Sequence, residues 1–469
     1  MKKVVLTLEV VQYLVSKISK MVNDTNKVLL MIGMGKQGEG LKCCARIVDK
    51  MAMEIVGFST KDTPADYDAS VKEPYIKCAV KASSFQAYLS AMAQYKADIT
   101  FSYNEKTLDL CVDGQANISL PCVGESEVEA PLSNKGVRDI MEMNFAAGKF
   151  LDAVKSGGFC AETGEDMSGI GDRVVFSFFM NKKRLHVYSA ESGGGRMAAS
   201  FAEISSIKKD GKEARVDMFL DEKIGTIALE EEKQAFIESV KGADASGKLE
   251  LAVKHGYSEE APYDIALPMT NVLILQNLLS EEGKEDVISL KVTSRYLMVA
   301  SKSVVATFLI SDKALSACRK RVDYFNQHKW ACGVLVDKEK MVQALSIIKL
   351  SNTAEDKTFN VQVENGKIVL KSANGNTTNI PVVSIGGNAA GIVRRFPTEK
   401  LMKTLSKFAN GNVCLALSSD SRMPLQVRNG DLDGKGSTAI TYLAGITIAA
   451  PAKTETAIET SEKETTTEE

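Results

Sequence analysis

Asp337-Lys338-Glu339-Lys340-Met341-Val342-Gln343-Ala344-Leu345-Ser346-Ile347-Ile348-Lys349-Leu350, then Phe359-Asn360-Val361-Gln362-Val363, Glu364-Asn365-Gly366 and Lys367-Ile368-Val369-Leu370-Lys371-Ser372-Ala373, reads in order as a helix, a strand, a tight turn and a returning strand. The Asn-Gly step supplies the positive φ that a two-stranded antiparallel turn needs. The same grammar recurs along the chain, and recurrence at domain scale marks an architecture. At 8–22, the residues Leu8, Val11, Leu14, Val15, Ile18, Met21 and Val22 fall at helical spacing, with strands following over 27–58. Further helices are read at 81–94, 145–155, 269–279 and 398–408, each leading into short strands joined by turns such as Asp113-Gly114 and Asn181-Lys182-Lys183.

Six units fall into three pairs. The chain is therefore expected to be α+β, with three similar domains at 1–124, 125–325 and 326–449, each of two helix-plus-antiparallel-meander units. An insertion at about 203–261, with an acidic helical stretch at 229–241, interrupts the second pair. Residues 450–469 hold six Glu and two Lys among Thr and Ser, a composition that cannot bury a core and is expected to be disordered.

Composition agrees with several ordinary globular domains: 469 residues, 44% hydrophobic, 25% charged and a formal net charge of -2. Apolar residues over 10–22 are broken by Gln12, Ser16, Lys17, Ser19 and Lys20, so no signal peptide is read there. No run approaches the roughly 18 apolar residues that cross a bilayer, and a cytoplasmic protein without a membrane partner is expected. Nine cysteines, odd in number and without a CxxC pair, read as reduced thiols.

Catalytic signals are sparse. His186, His255 and His328 are the three histidines, and none stands in a metal-ligand spacing. His186 lies in an alternating run, Arg184-Leu185-His186-Val187-Tyr188, which fits a strand position better than a general base. Gly33-Met34-Gly35-Lys36-Gln37-Gly38-Glu39-Gly40 satisfies G-x-G-x-x-G after an apolar run, but lacks a helix after the third glycine and an acidic residue about 20 positions on. A nucleotide- or dinucleotide-binding enzyme using this loop is thus one alternative, requiring a parallel sheet near the N-terminus. A structural repeat or scaffold protein is another. No catalytic residue, metal site or cofactor is assigned.

Certain segments resemble the bacterial DNA sliding clamp, the beta subunit of DNA polymerase III. Ala344 to Asn352 with the hairpin ending at Ser372-Ala373-Asn374 is similar to that family's helix ending in Leu-Ser-Asn and the strand pair closing on Ala-Asn. Phe396-Pro397-Thr398-Glu399-Lys400-Leu401-Met402-Lys403-Thr404-Leu405, Tyr442-Leu443-Ala444 and Ile265-Ala266-Leu267-Pro268-Met269-Thr270-Asn271-Val272 are similar to further family segments. Ser192-Gly193-Gly194-Gly195-Arg196-Met197 stands where the family has Thr-Asp-Gly-His-Arg-Leu, and Gly445-Ile446-Thr447 where it has Met-Pro-Met. These departures fit a divergent or phage-encoded member with altered partner specificity.

The resemblance implies a DNA clamp fold closing into a ring as a head-to-tail homodimer. It implies a DNA polymerase processivity factor, not an enzyme, that encircles double-stranded DNA without reading sequence and tethers the replicative DNA polymerase after placement by a clamp loader. A sliding ring must attract phosphates through mobile lysines on its inner helices. Lys400, Lys403 and Lys407 form one basic stripe, and Lys17, Lys20, Lys149, Lys155 and Lys349 are weaker counterparts. A partner-peptide groove is expected around Gly195, Arg196, Met197, Pro268, Val272, Arg422, Met423, Pro424, Ala444 and Ile446. Ile118, Leu120 and Leu350 are the subunit-interface candidates, although the two strand residues are equally compatible with the core.

Overall fold

The computed structural model describes residues 1–20, 26–33, 40–48, 51–124, 136–164, 171–310, 315–364, 366–408, 411–432 and 437–446. Each repeated unit is a strand, a helix and three more strands. In the first third these are β1 (Lys2–Leu6), α1 (Leu8–Ile18), β2 (Lys27–Ile32), β3 (Lys42–Val48) and β4 (Met51–Ser59). The second unit is β5 (Ile76–Lys81), α2 (Ala82–Met92), β6 (Ile99–Tyr103), β7 (Thr107–Val112) and β8 (Ala116–Pro121). The leading strands exchange, β1 joining β6-β7-β8 and β5 joining β2-β3-β4.

The middle third repeats this with β9 (Asp139–Ala146), α3 (Ala147–Gly158), β10 (Arg173–Phe179), β11 (Arg184–Ala190) and β12 (Arg196–Glu203). After an insertion come β14 (Tyr263–Pro268), α7 (Met269–Leu279), β15 (Val287–Thr293), β16 (Tyr296–Ala300) and β17 (Val304–Leu309). The last third has β18 (Cys332–Asp337), α9 (Lys338–Leu350), β19 (Thr358–Glu364), β20 (Lys367–Ser372) and β21 (Thr377–Pro381). A short β22 (Ser384–Gly387) precedes β23 (Val393–Pro397), α10 (Thr398–Leu405), β24 (Asn412–Leu417), β25 (Leu425–Asn429) and β26 (Ala439–Leu443).

The thirds are sewn together by sheets. Strands β17 and β4 pair from Val304↔Ile55 to Phe308↔Met51, so four strands of the first third and five between residues 139 and 309 form one continuous nine-stranded sheet. Strands β12 and β26 pair from Arg196↔Leu443 to Ser200↔Ala439 and join the middle and last thirds in the same way. The remaining sheets, β1-β6-β7-β8 and β21-β20-β19-β23, hold four strands each and end at the edge strands β8 and β21. In each third the two helices pack on one another and on the strands, α1 on α2, α3 on α7 and α9 on α10.

Local chemistry explains some boundaries and misses others. Thr7 caps α1 by accepting from the Val10 N–H, and Asp337 caps α9 through Lys340. By contrast α3 opens at Ala147 with no capping side chain, and Phe145, expected in the helix, is instead the penultimate residue of β9. Phe145 and Phe150 are both buried and their rings lie 5.4 Å apart, so a strand residue and a helix residue feed one apolar cluster and blur the boundary in sequence. The helix read at 8–22 ends at Ile18 and that read at 398–408 at Leu405; positions 21 and 22, Asn365 and the 450–469 tail lie outside the described residues.

The glycine-rich segment does not build a dinucleotide fold. Strands β2 and β3, which flank it, pair antiparallel from Val28↔Ile47 to Ile32↔Cys43, whereas the enzyme alternative required a parallel sheet. Gly40 has φ +84° and a Cβ there would lie 1.9 Å from the Thr60 carbonyl oxygen, so glycine is demanded by close backbone approach. Residues 34–39 lie outside the described residues.

The insertion contributes β13 (Ser206–Asp210), α4 (Lys212–Thr226), α5 (Glu230–Gly242) and α6 (Ala245–Lys254), three helices where periodicity picks out one. They enclose their own small cluster around Val216, Leu220 and Ala252. His186 sits in β11 with its ring 4.7 Å from that of Phe179, and burial, then Arg184 and Lys182, push it down to about 4. It is a neutral packing residue.

Candidate functional site

The eight candidate lysines divide by environment. Lys149 and Lys155 on α3, Lys403 on α10 and Lys407 just beyond it are exposed and make no ion pair among the described residues. Lys20 shares Glu281 at 3.4 Å, and Lys349 pairs with Glu399 at 3.0 Å, both near the surface. Lys400 is committed to Glu191 at 2.7 Å, tying α10 to the turn before β12. Lys17 is not a surface cation: it is 3% exposed, with its ammonium 2.6 Å from Glu281 and over the Tyr13 ring. Helices α2 and α7 contain no charged residue at all, so positive charge is unevenly spread over the helices.

The Lys17 pair ties the first third to the middle third. Burial alone pushes the Glu281 carboxyl up, but hydrogen bonds from Lys17 and Ser16, the Lys17 charge and Lys20 bring it below its ordinary value. A carboxyl depressed in the folded state stabilises above its unfolded pKa of about 4.3, and that contribution is lost as pH falls through the folded value. Lys17→Met is therefore expected to flatten the acid side of the stability–pH curve, measured as thermal midpoint between about pH 6 and pH 3. An unchanged acid limb would mean that Lys17 and Glu281 are not coupled in solution.

The second candidate surface lies at the end of the β12–β26 seam. Arg196, Leu443 and Leu425 form one row across β12, β26 and β25. Just past the strand ends, the Ala444 N–H donates to the Gly195 carbonyl at 3.0 Å and the Ile446 N–H to that of Arg395 at 2.8 Å. Arg394 holds the neighbouring turn: its guanidinium donates to the backbone carbonyls of Ser418, Asp420, Ser421 and Met423. Arg422 stands out from that turn on Asp420, whose carboxyl its hydrogen bonds draw down to about 2. Met423 and Pro424 are buried, while Ala444, Ile446 and Arg422 are exposed. Gly195, Arg196, Met197, Arg422, Met423, Pro424, Ala444 and Ile446 are thus brought to one end of the seam.

Pro268 and Val272 are not. Pro268 ends β14, which lies beyond β10 and β11 from the seam strand β12. Val272 is fully buried between α3 and α7, next to Gly158 and Val174 on the helix side of the sheet. What stands at the seam in their place is α8 (Leu315–Gln327), the helix linking the middle and last thirds. Cys318, Val322 and Phe325, at i, i+4 and i+7, lie on Val175, Tyr188, Ala266, Met197 and Tyr442. Trp330 stacks on Tyr442 at 6.3 Å, Asn326 accepts from the Tyr442 hydroxyl, and Arg319 donates to Asp264 at 2.9 and 3.2 Å. The helical spacing 318, 322, 325 before the one tryptophan is the sequence signal for it. On its outer side Tyr324 is exposed, Arg321 approaches Gly194, and His328 meets Ser418 at 2.9 Å, which adds aromatic and cationic groups beside Arg422.

At the open edges, Leu350 is 88% exposed and Ile347 54%, both at the end of α9 beside β21. Ile118 and Leu120, two positions apart on β8, share the inward face: Leu120 is buried in the core and Ile118 is half-buried against it, so of the three interface candidates only Leu350 stands in solvent.

Solved structures share this arrangement of strands and helices. The DNA polymerase III subunit beta of Pseudomonas aeruginosa is similar over 95% of this chain and 100% of its own, with a TM-score of 0.67 at 14% identity. The Thermotoga maritima DNA polymerase III beta subunit covers the same shares at TM-score 0.66 and 13% identity. The chain has the DNA sliding-clamp fold. The Helicobacter pylori beta clamp in complex with carprofen matches equally, at TM-score 0.67 and 12% identity. No protein-family model matches the chain, and no curated protein matches its sequence. Against these clamp structures the chain is divergent in sequence while matching them over nearly its whole length.

Proposed function

We propose that this protein is a sliding clamp: a non-enzymatic processivity factor that closes as a head-to-tail homodimer around duplex DNA and tethers a replicative polymerase. One observation carries the reading. Two seams each build a nine-stranded sheet from four strands on one side and five on the other, while two four-stranded sheets end in open edges, and pairing β8 of one copy with β21 of another would complete a third kind of seam twice in a closed two-fold ring. Three helix pairs from each copy would then line the hole, presenting Lys149, Lys155, Lys403 and Lys407, with Lys20 and Lys349 as partly neutralised contacts. The ring would be set on DNA by a clamp loader. Partner peptides would dock at the seam end between Gly195–Arg196, Ala444–Ile446, Arg422 and the outer side of α8, where cations favour a peptide with acidic residues beside its apolar anchor.

Small-angle scattering with in-line light scattering tests the ring. A particle of twice 50.8 kDa with a hollow distance distribution is expected, and a compact sphere-like monomer at tens of micromolar would overturn the proposal. Retention then distinguishes encirclement from a scaffold role: a clamp stays on closed circular DNA and runs off when the circle is cut.

Sparse inner charge has its own consequence. Replacing Lys149, Lys155, Lys403 and Lys407 with Ala is expected to lower the slope of log affinity for DNA against log salt by up to about 0.9 for each phosphate that a lysine no longer neutralises. Lys17→Ala should leave that slope unaltered. Equal slopes for the fourfold variant and the parent would remove these lysines from the DNA path.

A further inference from the structure

We propose that Cys78 and Cys122 form a reversible thiol–disulfide pair that clips the end of β8 to β5. The pairing stands on backbone geometry. Leaving β8, the chain donates from Cys122 N–H to the Lys106 carbonyl and then from Val123 N–H to the Ala79 carbonyl, each at 2.8 Å. The antiparallel bridge Ala79↔Val123 sets Cys122 opposite Val80 and diagonal to Cys78, on the same face of the sheet. Both side chains meet the same core, Cys78 at 3% exposure and Cys122 half-buried, and the two thiols are hydrogen-bonded.

Accessibility and acidity divide the roles. Cys122 is the more exposed of the two, and the Cys78 hydrogen bond, outweighing burial and the charge of Asp109, draws its thiol below the ordinary value. Burial pushes Cys43, Cys160 and Cys318 up to about 12 and Cys44 to about 11, which leaves them poor nucleophiles. With oxidised glutathione as the co-reactant, the Cys122 thiolate attacks one sulfur, forming a mixed disulfide and releasing one glutathione thiolate, which takes up a proton. Cys78 then loses its proton and attacks the Cys122 sulfur, expelling the second glutathione. Two protein thiols are oxidised and one glutathione disulfide is reduced to two thiols. The bond closes a loop that contains α2, β6, β7 and β8, so the oxidised second unit of the first third can open less in the unfolded state.

The test treats the folded full-length protein with oxidised glutathione, then blocks free thiols and maps peptides by mass spectrometry. The expected result is one intramolecular link between Cys78 and Cys122, seven thiols still free of nine, and full reversal by dithiothreitol. Cys78→Ser should stop the reaction at a glutathione adduct on Cys122. Oxidation should raise the denaturant midpoint of the parent protein and not that of Cys78→Ser. No thiol oxidation in the folded state, or Cys122 joined instead to Cys111 or to another copy, would overturn the proposal.

Discussion

In the proposed ring, the double substitution Ile118→Glu with Leu350→Glu is expected to convert the dimer into monomers, weakening association at least about a hundredfold. Leu350 stands almost wholly in solvent at the end of α9, with Ile347 one turn before it, and both flank the edge strand β21. Strand β8 offers the other edge, with Ile118 half-buried and no further strand paired to its outer side among the described residues. A large aliphatic side chain buried from solvent gains about 1.5–3 kcal/mol, so removing two per interface takes away roughly 3 kcal/mol or more before the cost of burying charges. Each 1.4 kcal/mol is about tenfold in dissociation constant, and a closed two-fold ring repeats the penalty at its second interface. Light scattering across a dilution series measures it. A variant that remains dimeric at the parent's concentrations would place the subunit contact elsewhere. Like charges on the two facing sides also permit a control: each single variant alone should weaken the dimer less than the pair.

Arg394→Met is expected to lower the stability of the last third by about 3–5 kcal/mol, seen as a depressed thermal midpoint and early proteolysis at 418–424. Arg394 is only 6% exposed, and burial draws its guanidinium below the usual arginine value, with Asp420 opposing that shift. Its donors satisfy four backbone carbonyls of one turn, Ser418, Asp420, Ser421 and Met423, which have no strand partner to replace it. Methionine fills similar space but removes the donor to the Ser418 and Met423 carbonyls, which are buried, and to that of Ser421, while the Asp420 carbonyl keeps the Met423 N–H. Lysine keeps the charge without the planar fork, so Arg394→Lys should recover only part of the stability. Because this turn carries Arg422 and the Arg394 guanidinium itself lies beside Gly445, peptide binding at the proposed seam site should fall with it. Wild-type protease resistance in Arg394→Met would show that the turn is held by something other than the guanidinium.

Much of the architecture is legible locally. Helical spacing and the turn residues locate each of the six repeated helices to within a few positions, because element type is set by side-chain periodicity over a dozen neighbours. The helix over Met269 to Leu279 is legible to the residue, since Pro268 bars helix before it and the apolar positions are unbroken. The strand that leads each unit is not legible. It pairs with a sheet of the other unit, as β9 does with β15, and nothing in its own sequence names that distant partner. The candidate site shows the same division. Periodicity finds the lysines but not their availability: Lys17 is spent on Glu281 and Lys400 on Glu191, partners more than 200 positions away.

A threefold repeat of paired helix-and-meander units, an interrupted middle third and a strongly acidic last twenty residues are all written in the order of the amino acids. Which strands meet at the seams is set by packing across the chain, as is the placing of α8 over the outer face where Pro268 and Val272 were expected. Packing likewise turns Leu120 inward and leaves Leu350 in solvent. Periodicity fixes which face of an element is apolar, but both a core and a docking edge are apolar. Only the packing of remote segments settles which of the two a given leucine serves.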